Sequence, residues 1–301
     1  MKQKTKKVLK TIGMLLILVL IGIAVVCIYL FNAEIESRPP KELAQKYQIE
    51  EKIFQNRKVF IISPKEKEKT STVIFYLHGG SYMAETSKTH WQFLEDLVSD
   101  TGATIILPDY PLTPKYNYKD VYLMIYPLYQ TILEQIDTDN IIVMGDSAGG
   151  GIALALCETL GEEGKQQPHK TILISPWLDV TLKNPAILPI ESKDKQLNKE
   201  ALILAGIAYA GEDGMSKYWV NPINGPLEHL QNITIFTGTY DILNPDTHVL
   251  EERAKQVNTS IHLKEYEGQR HIWLLERGEN KTTQEEEAYQ DVIKCILEKD
   301  G

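Results

Sequence analysis

Cysteine is scarce in this chain, with three residues at positions 27, 157 and 295 of 301. Cys27 lies in an uncharged apolar run and the other two fall in predicted helices, so no disulfide framework follows and two buried thiols are the default reading. An excess of positive charge is also missing. The net charge is −9, and removing the five lysines of residues 1–10 leaves −14 for the remainder. That balance disfavours a nucleic-acid partner and says little else. Internal repeats and low-complexity stretches are absent, and no second uncharged run matches the one at residues 12–31 in length.

That run sets expectations for location. Residues 1–11 are basic, and Ile12 to Phe31 is 20 residues without a charge. At ~1.5 Å per residue it spans ~30 Å, the hydrocarbon thickness of a bilayer, whereas the core of a cleaved signal peptide is only ~7–15 residues. We expect a single transmembrane signal anchor at 12–31. The lysines would stay cytoplasmic and the chain after the run would lie outside. Residues 32–57 are expected to be a linker and N-terminal lid segment, with a short polar helix over Lys41 to Gln55.

From residue 58 the pattern is alternating. Apolar strands are predicted at Lys58–Ile62, Val73–Leu77, Thr104–Leu107, Ile141–Met144, Thr171–Ile174, Ile233–Thr237 and Ile261–Tyr266, mostly separated by helical stretches. This is the mark of a mostly parallel sheet covered on both faces, spanning 58–301. Residues 181–231 have no strand and one helical patch, Asn198–Tyr209, and are expected to form a lid-like insertion.

The most informative stretch is Ile142-Val143-Met144-Gly145-Asp146-Ser147-Ala148-Gly149-Gly150. An apolar strand runs into G-x-S-x-G and then a helix, the arrangement that holds a serine oxygen on a sharp bend above a sheet edge. A serine hydroxyl is a weak nucleophile at neutral pH and needs a base, itself oriented by a carboxylate. Among the later histidines, His271 follows a strand and a glycine loop. His262 lies within the strand, His248 falls on a predicted helix, His169 precedes a strand, and His229 has no comparable setting. For the acid, Asp241 ends the turn after Ile233–Thr237. Asp179 comes one strand too early, and Asp246 looks like the N-cap of the next helix. Asp109 and Asp146 are read as structural, bonding nearby loops. Upstream, Val73–Leu77 runs into His78-Gly79-Gly80-Ser81. Backbone N–H groups of Gly79, Gly80 and Ser81, with that of Ala148, are candidates for an oxyanion hole.

These segments, with Pro108–Pro114, Ser175–Asp179, Asn221–Gly225, Gly238–Leu243 and Gly268–His271, resemble the hormone-sensitive lipase-like group of α/β-hydrolases, the bacterial esterases and acetyl hydrolases. Ser81 stands where that group usually has glycine, which a backbone donor tolerates if φ and ψ allow it. The resemblance implies a serine carboxylic-ester hydrolase with the triad Ser147, Asp241 and His271, donors at Gly80 and Ser81, and a preference for short-chain or acetyl esters. Tyr82, Trp177, Tyr209 and Tyr218 could line an acyl pocket, and plain packing suits each equally well. No metal or cofactor is called for. An amidase or peptidase, an extracytoplasmic sugar deacetylase, or a binding protein of the same fold that has lost catalysis are the alternatives.

Overall fold

The computed structural model describes residues 38–65, 69–276 and 282–298. Eight strands form one sheet in the order β1-β2-β4-β3-β5-β6-β7-β8. They are β1 (Gln48–Phe54), β2 (Arg57–Ser63), β3 (Val73–Leu77), β4 (Thr104–Pro108), β5 (Ile141–Asp146), β6 (Lys170–Ile174), β7 (Ile233–Gly238) and β8 (Ile261–Tyr266). From β4 to β8 every neighbouring pair is parallel, and β2 runs antiparallel to both β1 and β4.

Seven helices accompany it among the described residues: α1 (Lys41–Lys46), α2 (Lys88–Thr101), α3 (Tyr118–Leu133), α4 (Ser147–Glu162), α5 (Lys199–Ala210), α6 (Asn244–Gln256) and α7 (Thr283–Leu297). Side chains alternate across a strand, so β3 sends Val73, Phe75 and Leu77 into one core and Ile74 and Tyr76 into the other. The first core holds residues of α3, α4, α5 and α6, and the second those of α2 and α7. The inner strands are therefore apolar on both faces, which explains their continuous Val, Ile and Leu runs.

The expected strands are found with ends shifted by no more than two residues. The expected helix Lys41 to Gln55 is not. It stops at Lys46, and Gln48–Phe54 pairs with Arg57–Ser63 as the edge strand, so the sheet begins at 48 rather than 58. Gln55 and Asn56 both take positive φ, 46° and 63°, the requirement of a tight two-residue hairpin turn. The Glu and Lys of this strand suit a helix, but they also suit a largely exposed edge, and pairing with β2 prevails. In residues 181–231 no strand forms and α5 lies within a residue of its expected position. Asp246 is not an N-cap. Helix α6 starts at Asn244, and Asp246 sits buried in its first turn, taking a 2.9 Å bond from Asn184 Nδ2. Among the described residues no helix is long and apolar enough to cross a membrane, and the run at 12–31 lies outside them.

Candidate active site

Strand β5 ends at Asp146 and α4 begins at once with Ser147, whose φ of +50° is unusual for a non-glycine residue. Such a bend leaves no room for neighbours. A Cβ on Gly145 would lie 2.5 Å from the Gly149 carbonyl oxygen, and one on Gly149 would lie 2.0 Å from that of Leu77. The serine is thus wedged against the end of β3, where the His78–Ser81 loop starts.

Three strand ends bring the predicted side chains together. His271 Nε2 is 2.9 Å from Ser147 Oγ, and His271 Nδ1 is 2.8 Å from Asp241 Oδ2. Ser147, Asp241 and His271 are 5%, 0% and 4% exposed, so the chain of bonds is shielded from competing water. Asp241 Oδ1 accepts from the Leu243 N–H at 2.8 Å, fixing the carboxylate. After His271 the backbone turns left-handed at Ile272, whose N–H donates to Ser175 Oγ at 3.1 Å. Burial pushes the His271 pKa down. Asp241 foremost, then Asp194 and Asp146, push it up, and the balance lies above the ordinary value. The other candidate bases lie apart: His248 bonds Glu265 at 2.6 Å, His262 is exposed on β8, and neither His169 nor His229 joins the hydrogen bonds of Ser147, His271 and Asp241. Asp179 turns to Thr181, accepting from its N–H and hydroxyl.

The loop after β3 is anchored by Asp146. Its Oδ1 accepts from the Gly79 N–H at 2.9 Å and from Tyr76 Oη at 2.7 Å, while Oδ2 faces His90 Nε2 at 3.2 Å. Gly79 therefore drops out of the candidate oxyanion donors, because its N–H is already committed. Gly80, at φ +122°, and Ser81, at φ +54°, retain N–H groups with no partner among the described residues. The left-handed φ of Ser81 is one that a non-glycine residue tolerates, so serine serves in the glycine position. Ala148, in the first turn of α4, has an N–H with no intrahelical acceptor.

His78 stacks on Tyr110 with centroids 4.4 Å apart, and burial first, then His90, lowers its pKa to about 4, so the ring stays neutral. Asp109 pairs with Arg57 at 3.0 Å, a structural role as expected. Tyr82 and Tyr209 stack 3.6 Å apart, with Trp177 5.2 Å from Tyr82. The Trp177 backbone N–H donates to the Ser147 carbonyl at 2.9 Å, while its indole N–H donates to the Asp179 carbonyl at 3.0 Å, so this aromatic set adjoins Ser147 through the backbone. Tyr218 does not. It bonds Glu162 and Thr159, and Thr159 lies 12 residues along α4, ~18 Å of helix beyond the serine.

Sequence reading missed Tyr76, His90 and Asp194. His90 carried a local signal, since Ser87 and His90 form a capping box at the start of α2. Its Nδ1 accepts from the Ser87 N–H at 3.1 Å, which leaves the proton on Nε2, facing Asp146.

A family model describing the α/β-hydrolase fold matches residues 74–275. The chain belongs to that family. The hydrolase is similar to an esterase of Acinetobacter venetianus, 33% identical over 207 residues, 68% of each chain. It is also similar to an acetyl-hydrolase of Streptomyces hygroscopicus, 25% identical over 66% of this chain and 67% of that one. Among solved structures, a Staphylococcus aureus protein with a provisional esterase name superposes with a TM-score of 0.81 at 26% identity, covering 88% of both chains. A metagenomic hormone-sensitive lipase superposes at 0.77 with 22% identity, over 91% of this chain and 97% of that one, which speaks for the fold. The hydrolase is of the carboxylic-ester type, in keeping with the resemblance read from its motifs.

Proposed function

We propose that the hydrolase cleaves short-chain acyl or acetyl esters through Ser147, His271 and Asp241. The observation that carries this reading is the unbroken pair of hydrogen bonds, 2.9 Å and 2.8 Å, that begins at a serine held on a strained bend. Ser147 Oγ attacks the ester carbonyl and His271 Nε2 takes its proton. Asp241 holds the Nδ1–H tautomer and stabilises the imidazolium. The tetrahedral oxyanion is met by N–H groups of Gly80, Ser81 and Ala148. His271 then protonates the departing alcohol, and water repeats the cycle on the acyl-enzyme.

The preference for short chains is supported by the buried Tyr82, Tyr209 and Trp177 stack beside the nucleophile, which fills apolar space with rigid rings. Anchoring through residues 12–31, with the catalytic domain outside, rests on their composition. Protease added to intact cells should then remove the domain, and protection until lysis would reverse the topology.

The test of the chemistry is a fluorophosphonate probe together with a panel of p-nitrophenyl esters and a matched amide. Wild type should be labelled at Ser147, with labelling lost in Ser147→Ala and strongly reduced in His271→Ala. kcat/KM should fall from butyryl to decanoyl esters. Full labelling of Ser147→Ala would end the proposal, and a maximum at palmitoyl length would replace the short-chain reading with that of a lipase.

A further inference from the structure

The segment 190–197, within the lid-like insertion, is tied to both loops that carry the acid and base. Asp194 is 6% exposed, and its Oδ1 accepts from the N–H groups of Gln196 and Leu197, each at 2.9 Å. That half of the carboxylate closes a local turn. The other half leaves the segment, with Oδ2 accepting from the Ile242 N–H at 3.0 Å. Ile242 follows Asp241. On the other side of Asp241, the Tyr240 ring lies under Lys193, with Nζ 4.9 Å from its centroid. Gln196 Nε2 donates to Glu276 Oε1 at 2.9 Å, and the second oxygen of Glu276 pairs with Arg270, the residue before His271. Three neighbouring side chains thus reach the flanks of Asp241 directly and that of His271 through one intermediary.

Granted the triad proposed above, we propose that Lys193, Asp194 and Gln196 are positioning residues through which the insertion holds the acid and base in register with Ser147. A surface strap would not require a buried carboxylate directed at the acid loop. Three backbone N–H donors offset the cost of burying that charge, and the geometry leaves no donor free to rotate away. The charge also acts on His271. The groups that bear on this ring are Asp241 and Asp194, with Asp146 and Ser147 from the bend after β5 and the Arg270–Glu276 pair beside it.

Asp194→Asn is isosteric but has one acceptor oxygen, so either the Ile242 N–H or the local turn must face an NH2. We expect its kcat to fall roughly 10-fold or more with KM little changed, within the ~10²-fold that a misplacement of about 1 Å can cost. His271 must be neutral to act as base, and losing a nearby anion lowers its pKa. The acid limb of kcat/KM should therefore move to lower pH by about 0.5–1 unit, less than the roughly 1–3 units of a charge in direct contact. Lys193→Ala/Gln196→Ala, at two exposed positions, should lower kcat several-fold at unchanged melting temperature. Lys195→Ala should match wild type, since Lys195 turns back to the Ser192 carbonyl.

If fluorophosphonate fails to label wild type, the triad itself is wrong. If wild type is labelled and Asp194→Asn keeps both its kcat and its acid limb, the positioning role is overturned. Should Asp194→Asn not fold, the double variant decides, and wild-type kcat in it overturns the role. A rise in KM alone in either variant would assign the segment to substrate binding and also overturn it.

Discussion

Replacing Asp146 tests whether the oxyanion loop is held from behind the nucleophile. The carboxylate is fully buried and receives the Tyr76 hydroxyl, the Gly79 N–H and the His90 Nε2–H. Asp146→Ala strands all three donors in a place water does not reach. The His90 ring is neutral, so what remains is three unsatisfied buried donors at about 1–3 kcal/mol each, about 3–9 kcal/mol together. At roughly 2–4 °C per kcal/mol for a domain of this size, the melting temperature should drop by roughly 6 °C or more. Asp146→Asn keeps one acceptor oxygen and turns an NH2 toward a donor, so about 1–3 kcal/mol is expected. The pH dependence carries a sign. Burial opposes the charge of Asp146, but His90, Tyr76 and the Gly79 N–H outweigh it and hold its pKa below the ordinary 3.8. A depressed folded pKa gives stability that is present above 3.8 and lost as pH falls through the folded value. The gap between wild type and Asp146→Asn should therefore be full near neutrality and shrink below that pH. The assay is thermal melting by circular dichroism across pH, alongside fluorophosphonate labelling of Ser147. If both variants melt within ~2 °C of wild type and label at the same rate, Asp146 does not hold the loop and the reasoning fails.

The left-handed Ser81 should act through its N–H, so Ser81→Gly should leave kcat nearly unchanged. Ser81→Pro removes that N–H, worth ~10²–10³ in kcat or about 2.7–4 kcal/mol, and its ring also forbids a φ of +54°, so kcat should fall by at least that factor in protein shown by melting to be folded; a ~100-fold loss in Ser81→Gly would assign the hydroxyl a direct role. With the His271 pKa raised, esterase activity should fall as pH drops through a value above 6.5, seen as the acid limb of kcat/KM; a limb well below 6.5 would contradict the Asp241 contact. Tyr218→Phe should match wild type in kcat/KM across acyl lengths, because Tyr218 bonds Glu162 and Thr159 rather than facing the serine. Tyr209→Ala removes a ring stacked at 3.6 Å on Tyr82 and should raise the relative kcat/KM of octanoyl over acetyl esters, and an unchanged ratio would take the stack out of the acyl pocket.

Seven of the eight strands and the strand-turn-helix bend at Ser147 were legible in the sequence, as were the side chains of Ser147, Asp241 and His271 that the fold brings within hydrogen-bond distance. Each depends on short-range chemistry: apolar β-branched runs buried on two faces, glycines where a Cβ would strike a carbonyl, and a histidine one loop past a strand. Local chemistry could not decide Gln48–Phe54, where charged residues suit a helix or an exposed edge equally well and only pairing with β2 chooses between them. Nor could it assign Gly79, whose N–H differs from that of Gly80 only in the presence of Asp146, 67 residues away. Asp194 had no motif of its own, and it approaches Ile242 from 48 residues away. Sequence alone determined which residues could be nucleophile, base and acid, since those roles require particular functional groups at strand ends. Tertiary structure decided which backbone donors remain free and which carboxylates brace the site, because a hydrogen-bond donor is defined by what has already reached it.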